Sequence, residues 1–311
     1  MKKLITFLLI ITNLYLQAQN FFTKEVSLKV DTLTLKGTLT IPNAGIHVPV
    51  AIIIAGSGPT DRNGNNMQMQ NNCLKMLSDS LAAHGIASLR YDKRVFAVMN
   101  NPNFREDSLL FDDFVKDAIA WIEYLKKDYD FTQYVLIGHS QGSLVAILAA
   151  EKIPVDKLVS LEGPGYPIGI TLKKQFQAQP KSIQKYAIPI IDSLDHGKRV
   201  NNVPRVLYSV FRPSVQPFLI SWMKYDPAAE ISKLNIPVLI VQGENDIQVG
   251  IEDAKRLDSA ANNDRLVIIP KMNHILKNAP KERRANLKTY FDPTLPINGQ
   301  LVKEIVKFFK Q

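Results

Sequence analysis

Residues 134–142, Tyr-Val-Leu-Ile-Gly-His-Ser-Gln-Gly, join a short apolar run to a Gly-x-Ser-x-Gly pattern. A stretch with the period of a helix begins directly afterwards, near Ser143. A strand that turns sharply into a helix at such a pattern presents its serine hydroxyl at the edge of a sheet. Glycine suits both flanking positions because a side chain there would collide with neighbouring backbone. The segment therefore predicts an outward-facing, reactive Ser140, with a plain strand-to-helix turn as the alternative.

Apolar runs on both sides of this segment predict a sheet. Residues 26–30 and 33–41 alternate apolar and polar side chains, which is typical of half-buried antiparallel strands. Six further short runs are mainly apolar, as in parallel strands covered on both faces, and they span residues 48–55, 87–91, 134–137, 158–161, 238–241 and 266–269. Helix-period stretches separate several of these runs. The sequence therefore predicts an α/β fold, with a mostly parallel eight-stranded sheet and helices on both faces.

One connection is too long for an ordinary loop. Residues 164–235 contain no clear parallel strand, are rich in aromatic residues and carry separated helical patches. Because an insertion of this length is usually functional or a subdomain, we expect a mainly helical cap over one end of the sheet. The predicted core is then residues 20–163 and 236–311. The cap aromatics either shape an acyl pocket or pack within the cap, and they are Tyr166, Phe211, Phe218 and Trp222.

Residues 1–19 have the basic start and short apolar core of a secretory signal peptide. We expect cleavage near Ala18, and the alternative is an uncleaved N-terminal anchor. Cys73 is the only cysteine, so an exported chain would hold no internal disulfide. The expected location is therefore periplasmic or secreted.

Composition and charge exclude several classes of protein. Of 311 residues, 46% are hydrophobic and 22% charged, which is the balance of an ordinary globular protein. Beyond residue 16, no apolar run is long enough to span a bilayer. The net charge of +9 comes from dispersed basic residues without an interleaved aromatic stripe, so nucleic-acid binding is not expected. One basic stretch, residues 271–288, is a candidate for attracting anionic substrates.

A serine hydroxyl becomes a nucleophile when a neighbouring base takes its proton, and five histidines are available. Four of them lie in an early loop, at a helix end, within the turn or in the expected cap, and they are His47, His84, His139 and His196. His274 follows the last predicted strand, where loops gather at the carboxyl edge of a parallel sheet. His274 is therefore the predicted base. The histidines show no ligand spacing for a metal, and Gly56-x-Gly58 lacks the third glycine of a dinucleotide fingerprint, so no metal or cofactor is expected.

The base in turn needs a carboxylate to fix its tautomer. The predicted strand 238–241 is followed by two acidic residues, Glu244 and Asp246. We favour Asp246 because Glu244 follows the glycine of the turn directly, and Glu244 is the alternative. The order serine, aspartate, histidine is that of α/β-hydrolases and differs from the orders found in the two well-known protease folds.

Attack on a carbonyl creates an oxyanion that two backbone N–H groups must bind. The N–H of Gln141, directly after the serine, is the first predicted donor. The second is expected in the glycine-rich loop of residues 56–62, where backbone can approach a ligand closely. Ser57 is favoured there and Gly58 is the alternative, whereas Pro59 has no N–H.

Five motifs together resemble bacterial carboxylesterases of the α/β-hydrolase superfamily, in particular the EstD-like esterases. They are Gly-Ser-Gly-Pro-x-Asp-Arg at 56–62, Leu-Arg-Tyr-Asp-Lys-Arg at 89–94, the Gly-His-Ser-Gln-Gly segment, Gly243-x-x-Asp246 and Asn273-His274. The resemblance implies a triad of Ser140, Asp246 and His274, and short-chain acyl esters as substrates. One segment departs from the family, because residues 95–99 replace the usual Gly-x-Gly-x-Ser. Since that loop lies near the active-site rim, substrate preference is not transferred.

The sequence therefore predicts a serine hydrolase that cleaves carboxylic esters of small molecules through an acyl-serine intermediate. A peptidase or amidase on the same scaffold is the first alternative, because one fold supports both reactions. A catalytically silent binding protein is the second, and it would require a broken triad. The oligomeric state is left open.

Overall fold

The computed structural model describes residues 20–98 and 103–311. The predicted signal peptide, residues 1–19, lies outside the described residues, as does Met99 of the segment that departs from the family. The strands within the described ranges are β1 (Phe21–Val30), β2 (Leu33–Pro42), β3 (Pro49–Ile54), β4 (Ala87–Tyr91), β5 (Gln133–His139), β6 (Lys157–Leu161), β7 (Val238–Gly243) and β8 (Asp264–Ile269).

These strands form one eight-stranded sheet in the order β1-β2-β4-β3-β5-β6-β7-β8. β2 pairs antiparallel with both β1 and β4, and the other neighbours, from β4 through β8, run parallel. The predicted mostly parallel eight-stranded sheet is confirmed. Parallel pairing brings the carboxyl ends of β3, β5, β6, β7 and β8 to one edge, where the loops of a binding site can meet.

The first strand begins earlier than its apolar pattern predicts. β1 starts at Phe21 rather than residue 26, and it pairs with β2 along its whole length, from Phe21 opposite Pro42 to Val30 opposite Leu33. Most side chains between residues 21 and 25 are exposed, so they carry no apolar alternation. Backbone pairing along a β-hairpin, which the sequence pattern does not reveal, extends this strand.

The helices cover both faces of the sheet. They are α1 (Cys73–Ala83), α2 (Arg94–Val98), α3 (Phe111–Asp128), α4 (Gln141–Ala150), α5 (Ile168–Gln177), α6 (Lys181–Asp195), α7 (Tyr208–Phe211), α8 (Gln216–Met223), α9 (Pro227–Ile231), α10 (Ile251–Asp258), α11 (Arg283–Lys288) and α12 (Gly299–Phe309). Short 3-10 helices span Glu106–Ser108, Arg205–Leu207 and Thr289–Phe291.

Local sequence accounts for the character of two of these helices. α4 is buried on all sides from Gln141 to Ala149, which suits its nearly continuous apolar sequence. α12 is amphipathic, and Asn298 caps its start by accepting hydrogen bonds from the N–H groups of Gln300 and Leu301.

Two apolar cores lie on opposite faces of the sheet. The first contains buried residues of α3, α4 and α10, and the second contains buried residues of α1 and α12. Residues 164–235, hereafter the insertion, contain α5 to α9 and no strand within the described part of the chain. Buried insertion side chains such as Leu172, Ile191 and Phe211 belong to the first core. The insertion is therefore packed continuously with the body of the protein.

Aromatic contacts and one hydrogen bond connect the insertion to α3. The rings of Phe111 and Trp222 stack with centroids 5.4 Å apart, and Ser221 Oγ accepts a hydrogen bond of 2.8 Å from the N–H of Phe111. Phe218 lies against Phe114 with centroids 5.5 Å apart. Three of the four cap aromatics, Phe211, Phe218 and Trp222, therefore pack within the fold.

Among residues 20–98 and 103–311, no helix combines the length and the apolar character required to cross a membrane.

Candidate active site

Ser140 sits at the turn between β5 and α4. Its φ is +54° and its ψ is −123°, a conformation that costs free energy for a residue other than glycine. A Cβ added at Gly138 would lie 2.3 Å from the carbonyl oxygen of Gly142, and one added at Gly142 would lie 2.3 Å from that of Ile54. Glycine at both positions therefore lets β5 reverse directly into α4.

A cavity of about 110 Å³ lies beside this turn and is lined by both Ser140 and His274. Two glycine-loop residues, Gly56 and Ser57, also line it. Cys73 forms part of its wall and is 1% exposed, and burial raises the pKa of this thiol to about 12. The structure thus brings three segments that are far apart in sequence around one small space.

Asp246 is the acidic partner of His274. Its Oδ2 lies 2.7 Å from Nδ1 of His274, and the Asp246 side chain is fully buried. Its Oδ1 accepts hydrogen bonds from the N–H groups of Gln248 at 2.7 Å and Val249 at 3.0 Å. Although burial acts to raise it, the pKa of Asp246 is lowered, because the charge and the hydrogen bond of His274 outweigh burial.

Glu244, the alternative acid, is exposed to solvent. Its backbone N–H bonds to the carbonyl oxygen of Ile269, within the turn that follows β7. Of the two acidic residues after this strand, Asp246 is the one that contacts His274.

Glu162 is a buried acid that the sequence analysis missed. It follows β6 directly, and its carboxyl oxygens accept hydrogen bonds of 2.9 and 3.0 Å from the N–H of Gly243. The side-chain amide of Gln242 bonds to it, and so does the carboxyl group of Asp246. Burial, and next the charge of Asp246, hold the pKa of Glu162 well above its usual range. A protonated Glu162 donates to Asp246 and leaves the negative charge on the residue that faces His274.

His139 is a second residue whose contribution was missed. Its Nε2 lies 2.7 Å from the backbone carbonyl oxygen of His274, and the two rings are 5.0 Å apart. Burial, reinforced by the nearby His274, lowers the pKa of His139 to about 4. A neutral His139 therefore donates Nε2–H to this carbonyl and holds the His274 loop against the turn. The position of His139 next to Ser140 in the sequence was the one feature that could have indicated this contact.

One predicted oxyanion donor lies at the cavity and the other directly follows Ser140. Ser57 lines the cavity, and Gln141 is the first residue of α4, where helix N–H groups have no partner within the helix. Among the described residues, neither the N–H of Ser57 nor that of Gln141 donates to another protein group. Both groups are therefore free to bind a ligand.

Arg62 fastens the glycine-rich loop to the edge of the sheet. Its guanidinium lies 2.7 Å from a carboxylate oxygen of Asp92 and 2.7 Å from one of Glu25, and it donates to Thr38 Oγ1 at 2.8 Å. The backbone N–H of Arg62 also donates to Asp92 at 3.0 Å. The loop of residues 56–62 and the strand end at residues 89–94 thus hold each other in place.

Lys93 links the glycine-rich loop to the turn at Ser140. Its buried Nζ donates to the carbonyl oxygens of Gly56 at 2.7 Å and Gly58 at 3.2 Å, and to Gln141 Oε1 at 2.9 Å. It also lies 4.6 Å from the centre of the Phe114 ring. No motif in the sequence predicts this role for Lys93.

A wider cleft of about 950 Å³ adjoins the site and shares Gln248 with the small cavity. α5 and the loop after β7 form its walls, and Tyr166 is the one cap aromatic of the four that lines it. Its lining combines apolar surface with charged side chains such as Lys174 and Arg283. Only part of the basic stretch at 271–288 can face a substrate, because Lys277 is buried and donates to the carbonyl oxygen of Asp292 at 2.6 Å.

Within the described ranges, no group of three or more histidine, cysteine, aspartate or glutamate side chains has an arrangement that could hold a metal ion.

Comparison with known proteins agrees with this architecture. A family model described as "Serine aminopeptidase, S33" matches residues 67–207, which include Ser140. Among curated proteins, the chain is similar to Esterase EstD of Thermotoga maritima, with 25% identity over 276 residues. The match covers 84% of this chain and 62% of that protein, so the chain spans less than two thirds of the length of this relative.

Solved structures share the same fold at low sequence identity. Est1E from Butyrivibrio proteoclasticus superimposes with a TM-score of 0.59 and 20% identity over 92% of this chain and 98% of that chain. A proline iminopeptidase from Mycobacterium smegmatis gives a TM-score of 0.58 and 12% identity over 93% and 98%. The chain therefore has the α/β-hydrolase fold, which it shares with esterases and with a peptidase.

Proposed function

We propose that the protein is a carboxylesterase-type serine hydrolase. The observation that carries this proposal is the buried bond between Asp246 and His274 at a cavity that Ser140 also lines. A hydroxyl, an imidazole and a carboxylate in this order are the parts needed to activate serine as a nucleophile. Similarity to Esterase EstD and to esterases of known structure favours esters as the substrates.

The proposed reaction begins with His274. Its Nδ1–H is held by Asp246, so Nε2 is left to accept the proton of the Ser140 hydroxyl. Ser140 Oγ attacks the ester carbonyl, and the resulting imidazolium returns its proton to the departing alcohol. Water, activated by the same imidazole, then hydrolyses the acyl-Ser140 ester and releases the acid.

The N–H groups of Ser57 and Gln141 are proposed to bind the oxyanion in both steps. Both are free of protein partners among the described residues, and Gln141 adds the positive end of the α4 dipole.

The dimensions of the site favour a short acyl group and a larger alcohol. The cavity beside Ser140 holds about 110 Å³, which is space for a small acyl chain, whereas the adjoining cleft holds about 950 Å³. We therefore propose short-chain acyl esters as substrates, with the alcohol directed toward the insertion.

Replacing Ser140 with alanine tests the nucleophile. We expect turnover of p-nitrophenyl acetate to fall by roughly 10⁴-fold or more, because the activated hydroxyl is removed. The exposed Ser259→Ala variant is the matched control and should retain wild-type kcat. Labelling with a fluorophosphonate, followed by peptide mapping, should place the label on Ser140. Wild-type rates in the Ser140→Ala variant would refute the assignment.

An amidase or peptidase is the second candidate, because the family model and the iminopeptidase structure both point in that direction. Aminoacyl p-nitroanilides and p-nitrophenyl esters of matched acyl groups separate the two reactions. An esterase should show the higher kcat/KM on the esters by a margin greater than their intrinsic difference in reactivity, and a peptidase should cleave the anilides at comparable rates.

Export is also a proposal. It is supported by the basic and apolar start of residues 1–19. N-terminal sequencing of protein recovered from the periplasm or medium of the expressing cells should begin near residue 19, and recovery of the uncut chain from the cytoplasm would contradict export.

A further inference from the structure

Lys93 is a buried lysine that has no carboxylate partner among the residues that the structure describes. Each hydrogen of its ammonium group has an acceptor: the carbonyl oxygens of Gly56 and Gly58 and the side-chain oxygen of Gln141. Burying an ammonium group destabilises the folded state unless hydrogen bonds or an opposite charge compensate for the lost hydration. All three acceptors belong to the two segments that present the oxyanion donors.

The bond to Gly56 acts on one of these donors directly. The carbonyl of Gly56 and the N–H of Ser57 belong to the same peptide unit, and in a planar trans peptide they point in opposite directions. Lys93 holds the oxygen of this unit on one side, at 2.7 Å, so the N–H is turned to the other side, where the cavity lies. A cation on the oxygen also polarises the peptide and strengthens its N–H as a donor.

The bond to Gln141 acts on the second donor. The Gln141 side chain accepts from Lys93 at 2.9 Å, which anchors the first residue of α4 to the glycine-rich loop. One ammonium group therefore sets the distance between the two segments whose N–H groups bind the oxyanion.

The charged residues next to Lys93 in the sequence form ion pairs with other side chains. Asp92 is paired with Arg62, and Arg94 is paired with Asp117 at 2.6 Å and Asp113 at 3.7 Å. On the side of the turn, the buried His139 lies beside Gly56. The positive charge of Lys93 is thus left to act on the glycine-rich loop and on an anion bound at its far side.

We infer that Lys93 is a positioning residue for the oxyanion hole, and that full catalytic activity requires Lys93 to be protonated. This inference rests on the proposed esterase function. The protonated side chain fixes the Ser57 peptide and Gln141 in the arrangement that binds the tetrahedral intermediate. On deprotonation, one donor is lost and the charge disappears, so the two segments are held less firmly.

The inference predicts a decline in activity on the alkaline side. Burial lowers the pKa of Lys93 to about 7, so the charged form is lost as the pH rises through this value. We expect kcat of the wild type, measured from pH 6 to 9, to fall with one such ionisation on the alkaline side of its pH optimum. A wild-type kcat that stays level or rises throughout this range would overturn the inference without any variant.

The Lys93→Met variant tests the role directly, since methionine fills similar space without charge. We expect kcat for p-nitrophenyl acetate to fall by about 10- to 100-fold with KM changed less than threefold, because misplaced donors weaken the transition state rather than substrate binding. The alkaline decline should vanish from its pH profile. Affinity for a boronic acid, which forms a tetrahedral adduct with serine, should fall in parallel with kcat.

Lys157→Met is the matched control. Lys157 is also a buried lysine that donates to two backbone carbonyls, those of Phe308 and Phe309, beside a phenylalanine ring, but it lies at the opposite end of the sheet. Its loss should lower the melting temperature and leave kcat and the pH profile unchanged. If the Lys93 variant behaves in the same way, the role of Lys93 is only structural and the inference is wrong.

If Lys93→Met does not fold, the wild-type pH profile and the Gln141→Met variant test whether Lys93 positions the oxyanion hole. Loss of the Gln141 acceptor removes one bond to the ammonium, so the alkaline decline should move to lower pH, and an unmoved decline contradicts the inference. Absence of ester hydrolysis in the wild type would instead refute the proposed function, so the two failures can be distinguished.

Discussion

Asp246 carries the negative charge that faces the His274 ring, and its replacement by asparagine removes this charge with little change of shape. Asparagine also reverses the hydrogen bond, so the imidazole takes the wrong tautomer. We expect kcat to fall by roughly 10³- to 10⁴-fold. Steady-state hydrolysis of p-nitrophenyl acetate measures the effect.

Glu244→Gln supplies the control for this experiment. Glu244 follows the same strand but is exposed, so its kcat should stay within twofold of the wild type. An inactive Glu244 variant together with an active Asp246 variant would transfer the acidic role to Glu244.

At the residue scale, a motif or a position at a strand end was enough to name three candidate site residues from the sequence. Ser140 follows a strand within a recognisable pattern, and Asp246 and His274 follow strand ends. The roles of Lys93 and Glu162 depend on partners at least 35 positions away along the chain, so no local pattern reveals them. Such roles follow only from the pairing of strands.

Among the elements, the turn from β5 to α4 depends most on the absence of side chains. A Cβ at Gly142 would lie 2.3 Å from the carbonyl oxygen of Ile54, and backbone atoms on β3 cannot yield as a flexible side chain can. We expect Gly142→Ala to destabilise the fold by about 3 kcal/mol or more and to abolish activity. Urea unfolding followed by circular dichroism measures the change.

Gly299→Ala is the matched control, because it makes the same substitution where there is space for the added Cβ. Gly299 is the first residue of α12, and a Cβ there would have no neighbour within 4 Å. Because alanine favours helix, this variant should be as stable as the wild type or more stable, by up to about 1 kcal/mol. If the two variants were equally stable, the backbone around residue 142 would have to accommodate the added Cβ with little loss of stability.

Helices and strands with a clear apolar periodicity could be predicted from the sequence. Segments whose structure depends on backbone pairing with another strand could not. The apolar runs located all eight strands, but β1 proved five residues longer than predicted because its first half is exposed on both faces. α2 and α11 were missed because helices of five and six residues offer too few turns for a period to show.

At the scale of the whole molecule, the insertion and the sheet edge together set the size of what can bind. The small cavity beside Ser140 and the larger cleft lined by α5 predict that acyl length is restricted and alcohol size is not. Along a series of p-nitrophenyl esters, kcat/KM should be highest for acetate to butyrate and fall at least tenfold by octanoate. Esters of acetate with bulky polar alcohols should remain substrates.

Met69 lines the small cavity and offers a way to alter this preference. Met69→Ala enlarges the space next to Ser140, so kcat/KM for hexanoate and octanoate should rise relative to acetate. An unchanged ratio would show that the acyl chain occupies another part of the site.

The single thiol has a practical consequence. Cys73 is almost wholly enclosed, and burial keeps it in the unreactive protonated form at neutral pH. A cysteine introduced on the exposed surface of α5 would therefore react alone with a maleimide dye, with no need to remove the native one. Fluorescence from such a dye would report movements of the insertion during turnover.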